Sequence, residues 1–282
     1  MRKPNDMLKS LRKRISALSV YGFFFFAFVY APILLIVVFS FNANPVNMMI
    51  WDGFTFEWYK TIFGYQTALT ESALYIDSTE KLHDAVKNSL LIAFTTTLIS
   101  TVFGTAIALA VARFRFRLRG FYRGLMFVPM IMPDIILGIA LLVFFVSVGI
   151  NLSVVTIIIG HCTFLTSYVF VVVSARIADM DEALEEASSD LGADGWTTFR
   201  RVTLPMILPG VIGGALLAFI ISMDDLVITY FIAGVDSTTL PVHIFGMLRR
   251  GIKPEINAIA TVMLLFSIVI ATVGLYLRSR KP

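Results

Sequence analysis

Long runs of apolar residues alternate with shorter polar intervals along almost the whole chain. Six runs carry few or no charges, at 20–41, 88–112, 124–148, 152–174, 205–223 and 256–277. A transmembrane helix needs about 20 predominantly apolar residues, so each run is long enough to cross a bilayer. The pattern therefore predicts an all-α membrane protein with six transmembrane helices.

Basic residues are distributed unevenly among the polar intervals. Of the 23 Lys and Arg residues, 17 lie in four intervals on one side of the predicted membrane, at 1–19, 113–123, 175–204 and 278–282. Lys and Arg are in excess in loops that stay in the cytoplasm. The distribution predicts that both termini are cytoplasmic and that the loops 42–87 and 224–255 lie outside.

A basic N-terminus followed by an apolar run is a pattern that secretory signal peptides also show. The run 20–41 is longer than the apolar region of a signal peptide and long enough to span. We interpret it as a retained first transmembrane helix.

Two of the predicted spans contain features that bear on helix packing. Pro129 and Pro133 interrupt the third span, and Gly149–Asn151 leaves room for only a tight turn before the fourth. Gly210 and Gly214 form a GxxxG pattern at the start of the fifth span. Such patterns let helices approach closely, and we favour a packing notch inside the subunit over a contact between subunits.

The composition excludes several classes of function. The chain is 57% hydrophobic and 15% charged, and its net charge of +4 follows from the sided distribution of Lys and Arg rather than from a nucleic-acid-binding surface. Its single cysteine, Cys162, excludes an intrachain disulfide, and we interpret Cys162 and the adjacent His161 as packing residues. No P-loop, HExxH or metal-spaced Cys/His pattern occurs, so we expect no enzymatic site, no cofactor and no metal in this chain.

The polar interval before the fifth span predicts a short helical hairpin. Leu184, Ala187 and Leu191 share one helical face, and Gly192 follows where a residue with positive φ ends a helix. Asp194 can cap a second helix, whose apolar residues are Trp196, Phe199 and Val202. We expect the two helices to pair through an apolar spine, with acidic residues at the edge.

The same interval resembles the EAA loop of the membrane permeases of bacterial ABC importers. Glu186, Ala187 and Ser188 are followed after three residues by Gly192, and after nine more by Val202-Thr203-Leu204-Pro205. Ser188 and Val202 depart from the usual Ala and Ile. The resemblance implies a type I ABC importer permease (MetI-like) fold and a hairpin that docks into a separate ATPase. The residues it assigns to ATPase coupling are Glu186, Ala187, Gly192, Leu204 and Pro205.

Three acids fall within or at the ends of the predicted spans. Asp134 lies near mid-depth of the third span, and Asp224 and Asp225 lie at the outer end of the fifth. A charge at bilayer depth costs about 2.5–3.5 kcal/mol on insertion scales, and such residues commonly line substrate paths. Two interpretations stay open: Asp134 is an N-cap after Pro133 or part of a substrate path, and the Asp pair is a helix-end boundary or part of that path.

Further segments resemble the second permease subunit of spermidine/putrescine importers, over about residues 20 to 278. They are Ala31-Pro32, Phe39-Ser-Phe-Asn42, Trp58-Tyr59, Pro133-Asp134, Ser222-Met-Asp-Asp225 and Pro254-Glu-Ile-Asn257. The segment 65–80 departs from the family by being longer and more polar. The resemblance implies a substrate path for a polyamine that comprises Asp134, Ser222, Asp224, Asp225, Trp58 and Tyr59.

The resemblance also implies the partners: a second, homologous permease, two copies of a cytoplasmic ATPase that bind ATP and Mg, and a periplasmic polyamine-binding protein. It places the chain in the bacterial inner membrane, working by alternating access. A permease for another amine-bearing or organic solute is an alternative within transport. A non-transport membrane scaffold or complex subunit is the alternative of another class, and it leaves the EAA-like spacing unexplained.

Overall fold

The computed structural model describes residues 4–44, 50–65, 67, 73–181, 183–250 and 255–279. These residues form helices and connecting segments, with one isolated antiparallel bridge between Asn42 and Phe54. The helices are α1 Pro4–Phe39, α2 Glu57–Ile62, α3 Ala73–Arg113, α4 Arg119–Ile131, α5 Asp134–Ser147, α6 Val154–Ala178, α7 Ala183–Asp190, α8 Gly195–Thr198, α9 Leu204–Asp224, α10 Val227–Ile232, α11 Leu240–Arg250 and α12 Glu255–Ser279. The all-α prediction is confirmed.

Four helices in the described part of the chain are long and apolar enough to cross a membrane. They contain Leu18–Phe39, Lys81–Arg113, Val154–Ala178 and Gly195–Asp224. The pair α4 and α5 makes a fifth if it is counted as one broken span. In α12 the segment Ile256–Val269 is apolar but shorter than a span, so the sixth span stays a prediction.

The third predicted span is two helices that meet at a bend of 105°. Proline has no N–H to donate and disfavours helical geometry in the residue before it. Met132 accordingly has an extended backbone, with φ −67° and ψ 134°, and Pro133 follows it with ψ 134°. The interruption expected from the sequence is thus a sharp break rather than a kink.

Two helices extend beyond their predicted spans into polar sequence. α1 begins at Pro4, inside the basic N-terminus, and α3 begins at Ala73, inside the predicted extracytoplasmic loop. Charged side chains outside the lipid do not interrupt a helix, because water solvates them. The unusual segment 65–80 falls partly outside the described residues.

Residues 1–75 and 251–266 form one compact unit, and residues 76–250 and 267–282 form a second. In the first unit, Trp58 of α2 is fully buried and its indole N–H donates to the carbonyl of Asn42 at 2.7 Å. In the second unit, α6 is the central helix. It is packed by α4, α9 and α10, and its buried residues include Ile157, Leu165 and Val173.

The GxxxG pattern of α9 packs inside the subunit. A Cβ on Gly210 would lie 2.7 Å from Cβ of Arg176, and one on Gly214 would lie 3.3 Å from Cγ1 of Val169. Both neighbours belong to α6, which agrees with the predicted packing notch.

Candidate functional site

The hairpin before the fifth span forms around Gly192. Gly192 has φ +84°, and its N–H donates to the carbonyl of Ser189 at 2.9 Å. The N–H of Ala193 donates to the carbonyl of Ser188 at 3.1 Å, which completes a Schellman motif at the end of α7. The chain conformation predicted at Gly192 is confirmed.

Asp194 precedes α8, and its carboxylate accepts a hydrogen bond from the hydroxyl of Thr197. This bond, with backbone N–H groups of the same turn, holds the pKa of Asp194 below its ordinary value. Asp194 occupies the N-cap position of α8, as predicted, but it makes no side-chain capping hydrogen bond there.

The prediction of an apolar spine between the two helices of the hairpin is wrong. Leu184, Leu191 and Trp196 are 46%, 90% and 67% exposed, and a polar contact joins α7 to α8 instead. The hydroxyl groups of Ser188 and Thr198 lie 3.0 Å apart. α8 is only one turn long, so it offers no long apolar face to α7. The large apolar side chains point outward in this chain.

The hairpin continues into the membrane helix through one wide turn. Residues Phe199–Thr203 form a π-helical turn that leads directly into α9. Pro205 has no N–H to donate to the carbonyl four residues earlier, which favours such a widened turn. Of the last two predicted coupling residues, Leu204 is half-buried and Pro205 is exposed.

The remaining coupling residues of the EAA-like stretch lie at the surface. Glu186 and Ala187 are exposed, and Glu186 lines a cavity of about 720 Å³ on one side of α7. Other lining residues are Leu109 and Arg113 of α3, Asp190 of α7 and Phe199. The geometry leaves Glu186 available to another molecule.

Glu185, the residue before the motif, also lines this cavity, but its carboxylate is held by contacts inside the chain. Its Oε1 lies 2.9 Å from Nη2 of Arg113 and accepts a hydrogen bond of 2.6 Å from the hydroxyl of Thr203. Sequence reasoning missed this contact, because two adjacent glutamates give no signal of which one faces inward. The only hint was that Arg113 and Thr203 stand at the ends of predicted helices.

Asp134 is the first residue of α5, after the break at Pro133. It is exposed, and the N-cap position of α5 is held by Pro133, with no side-chain capping bond. Within the described residues the carboxylate makes no hydrogen bond or ion pair. The interpretation of Asp134 as an N-cap is therefore wrong for this structure.

Asp224 and Asp225 differ although they are adjacent. Asp224 ends α9 and is exposed, whereas the carboxylate of Asp225 is 8% exposed. Oδ2 of Asp225 accepts hydrogen bonds from N–H and Oγ1 of Thr229, at 2.8 and 2.7 Å. The same oxygen lies 3.2 Å from Nε2 of His161.

His161 completes a buried polar cluster. Its Nδ1 lies 2.8 Å from Oγ of Ser222, and its Nε2 also lies 2.9 Å from Oγ1 of Thr229. His161 is fully buried, so the interpretation of His161 as a packing residue is confirmed. Ser222 and Asp225 are engaged inside the chain, which leaves Asp224 as the accessible acid of the pair.

The two accessible acids, Asp134 and Asp224, belong to segments that adjoin a helix contact between α5 and α10. A Cβ on Gly138 of α5 would lie 3.3 Å from Cα of Ile228 in α10. Leu141 and Ile232, one turn further along each helix, both approach Gly160 of α6. α5 and α10 therefore pack on each other; Asp134 is the first residue of α5, and Asp224 is the last residue of α9, which precedes α10.

The two aromatic residues expected at the outer side lie in the first unit. The buried ring of Trp58 offers no free face to a ligand, so its position does not support the expected role. Tyr59 donates or accepts a 2.5 Å hydrogen bond with Ser40 and packs against Phe41 and Phe56. These rings line a small apolar cavity of about 240 Å³.

Comparison with known proteins gives consistent matches over most of the chain. The sequence profile described as "Binding-protein-dependent transport system inner membrane component" matches residues 100–280. The spermidine/putrescine transport system permease protein PotC of Haemophilus influenzae is 35% identical over 258 residues, or 91% of this chain and 94% of that protein. The putrescine transport system permease protein PotI of Escherichia coli is 38% identical over 267 residues, or 90% and 88%.

Solved structures show the same fold. A bacterial ABC transporter involved in the import of the acidic polysaccharide alginate matches with a TM-score of 0.70 at 16% identity, over 98% of this chain and 99% of the other. The MetNI methionine ABC transporter in an inward-facing conformation matches with a TM-score of 0.59 at 17% identity, over 74% and 98%. At these identities the likeness concerns the fold alone, and it is the MetI-like fold expected from the EAA-like stretch.

Proposed function

The chain belongs to the family of binding-protein-dependent transport system inner membrane components, and we propose that it is the permease subunit of an ABC importer for polyamines. Its substrate is spermidine, putrescine or both, and it works by alternating access. Curated relatives at 35% and 38% identity carry these substrates in their names.

The observation that carries the proposal is the pair of free carboxylates of Asp134 and Asp224. Both are exposed and both stand at helix ends, Asp134 at the start of α5 and Asp224 at the end of α9, and α5 packs on α10, the helix that follows α9. A polyamine carries ammonium groups separated by methylene chains, so separate carboxylates match its charge pattern. Broken helices with polar groups at the break are also how transporters build substrate sites inside a membrane.

The residues predicted for the path divide into two groups. We assign Asp134 and Asp224, both in the second unit, to contact with the substrate, and we make no assignment for Tyr59, which lies in the first unit. We assign Ser222 and Asp225 to holding the local structure, because their polar atoms are already bonded to His161 and Thr229.

The proposed assembly contains a second, homologous permease, two copies of a cytoplasmic ATPase and a periplasmic polyamine-binding protein. The exposed Leu184, Leu191 and Trp196 support docking of the hairpin onto the ATPase, since large apolar side chains at a surface commonly mark an interface. We assign ATP and Mg to the ATPase and no cofactor to this chain. The excess of Lys and Arg on one side supports cytoplasmic termini and a cytoplasmic hairpin.

Uptake by the reconstituted importer tests the proposal. Asp134→Asn and Asp224→Asn keep the size of the side chain and remove its charge. Each variant is expected to assemble normally and to lose at least about tenfold in polyamine uptake, equivalent to about 1.4 kcal/mol of binding. Asp236→Asn is the matched control, because Asp236 is also exposed in the same unit.

Wild-type uptake by both variants would remove the two acids from the substrate path. Uptake of a different amine-bearing solute in preference to spermidine and putrescine would favour the alternative permease. An assembly that carries no solute would favour the membrane scaffold.

A further inference from the structure

Three side chains from distant parts of the sequence meet at the carboxylate of Glu185. Arg113 is the last residue of α3, Glu185 lies in the first turn of α7, and Thr203 is the last residue before α9. Oε1 of Glu185 lies 2.9 Å from Nη2 of Arg113 and 2.6 Å from Oγ1 of Thr203. We call these three residues the brace.

The brace is better protected from water than an ordinary surface ion pair. The side chains of Arg113 and Glu185 are 23% and 21% exposed, and Thr203 is 5% exposed. A fully exposed pair contributes little because water and salt screen it. A partly buried carboxylate with both a cation and a hydroxyl donor has a defined geometry, and charge-assisted hydrogen bonds are stronger than neutral ones.

The position of the brace connects the hairpin to two membrane helices. α7 belongs to the hairpin, whereas α3 and α9 are both long and apolar enough to span the bilayer. Along the chain, the π-helical turn Phe199–Thr203 connects this hairpin to α9. The brace is a polar contact that joins α7 to α3.

We propose that Glu185 is a positioning residue that couples movement of the hairpin to movement of α3 and α9. This inference rests on the proposed function, since it assumes that an ATPase drives the hairpin. When α7 moves, the contacts of the Glu185 carboxylate with Arg113 and Thr203 transmit the movement to α3 and α9. Loss of the brace leaves the hairpin able to dock, because Glu186 and the exposed apolar side chains of α7 do not take part in it.

The test measures polyamine uptake per ATP hydrolysed in the complete reconstituted importer. Glu185→Gln keeps a hydrogen-bond acceptor for Thr203 and removes the ion pair. We expect normal assembly, hydrolysis within about twofold of wild type, and uptake per ATP lowered at least about tenfold. Such a decrease corresponds to about 1.4 kcal/mol of lost coupling.

A charge reversal tests the contact itself. Arg113→Glu alone is expected to uncouple, and Arg113→Glu combined with Glu185→Arg is expected to restore at least half of the wild-type uptake per ATP. Asp190→Asn is the control for Glu185, because Asp190 lines the same cavity on the same helix without joining the brace. Arg115→Gln is the control for Arg113, because it removes an exposed charge of the same loop.

Three results would overturn the inference. The first is wild-type uptake per ATP in Glu185→Gln. The second is a reversal that restores nothing although both proteins assemble. If Glu185→Gln fails to assemble, Thr203→Val takes its place, because it removes only the hydroxyl donor, and it must lower uptake per ATP. Wild-type uptake per ATP in Thr203→Val is the third contradicting result. A wild-type importer that takes up no polyamine would instead refute the proposed function.

Discussion

Nε2 of His161 lies 3.2 Å from Oδ2 of Asp225, and this contact joins α6 to the segment between α9 and α10. Because the imidazole is fully buried and the carboxylate 8% exposed, neither group has much access to water. The contact separates two adjacent acids into different roles: Asp225 is held inside the chain, and Asp224 is free at its surface.

Asp225→Asn is expected to destabilise the second unit, whereas Asp224→Asn is not. A buried hydrogen bond to a charged group contributes about 1.5–3 kcal/mol, and Asp225 forms such bonds to Thr229 and His161. An exposed substitution usually changes stability by less than about 0.5 kcal/mol. Thermal unfolding of the purified protein in detergent measures both, and equal midpoints for the two variants would contradict the assignment.

Gly192→Ala is expected to weaken association with the ATPase by about tenfold. The left-handed backbone at φ +84° costs an L-residue roughly 1–2 kcal/mol, and no neighbouring atom within 4 Å adds a clash. Gly192→Asn should lose less, because asparagine tolerates this conformation. Gly195→Ala is the matched control, since its added methyl group also meets nothing within 4 Å. Equal association of all three variants would show that the turn does not shape the docking surface.

Gly210→Ala is expected to destabilise the packing of α9 on α6. The new methyl group would lie 2.7 Å from Cβ of Arg176, which has little freedom to move away, and overpacking of this kind costs about 1–3 kcal/mol. Gly213→Ala is the control, because its nearest neighbour lies at 3.9 Å. If Gly210→Ala leaves the unfolding midpoint unchanged and instead prevents subunit association, the notch faces another chain.

Single cysteines at Val235 and Leu191 are expected to report opposite sides of the membrane. These side chains are 91% and 90% exposed, so accessibility within the chain is matched. In a Cys162→Ser background, an impermeant thiol reagent added to spheroplasts should label Val235→Cys at once. It should label Leu191→Cys only after the membrane is disrupted. The reverse result would invert the proposed orientation.

The sequence predicted the helical class and the special conformation at Gly192 because both follow from local rules. Apolar runs of spanning length must be helical in lipid, and a glycine after an apolar-periodic segment ends a helix. Pro133 likewise indicated where the third span is interrupted. The 105° bend could not be predicted, because proline removes local constraints without fixing the direction of the next helix.

The side-chain contacts of the site were less predictable than its backbone. Which of Glu185 and Glu186 faces inward, and which of Asp224 and Asp225 is free, depends on partners more than 15 residues away in sequence. Periodicity places each residue on its own helix but does not reveal the neighbouring helix. The prediction of an apolar spine in the hairpin was wrong because α8 is a single turn, and the sequence pattern does not reveal how short that helix is.

The length of α3 gives it a mechanical consequence. Its 41 residues extend over about 60 Å at 1.5 Å per residue, about twice the thickness of the hydrocarbon core. A rigid rod of that length converts a tilt of about 10° at the Arg113 end into a displacement of about 10 Å at the Ala73 end. α3 is therefore long enough to act as a lever: a small rotation at one of its ends becomes a large displacement at the other end.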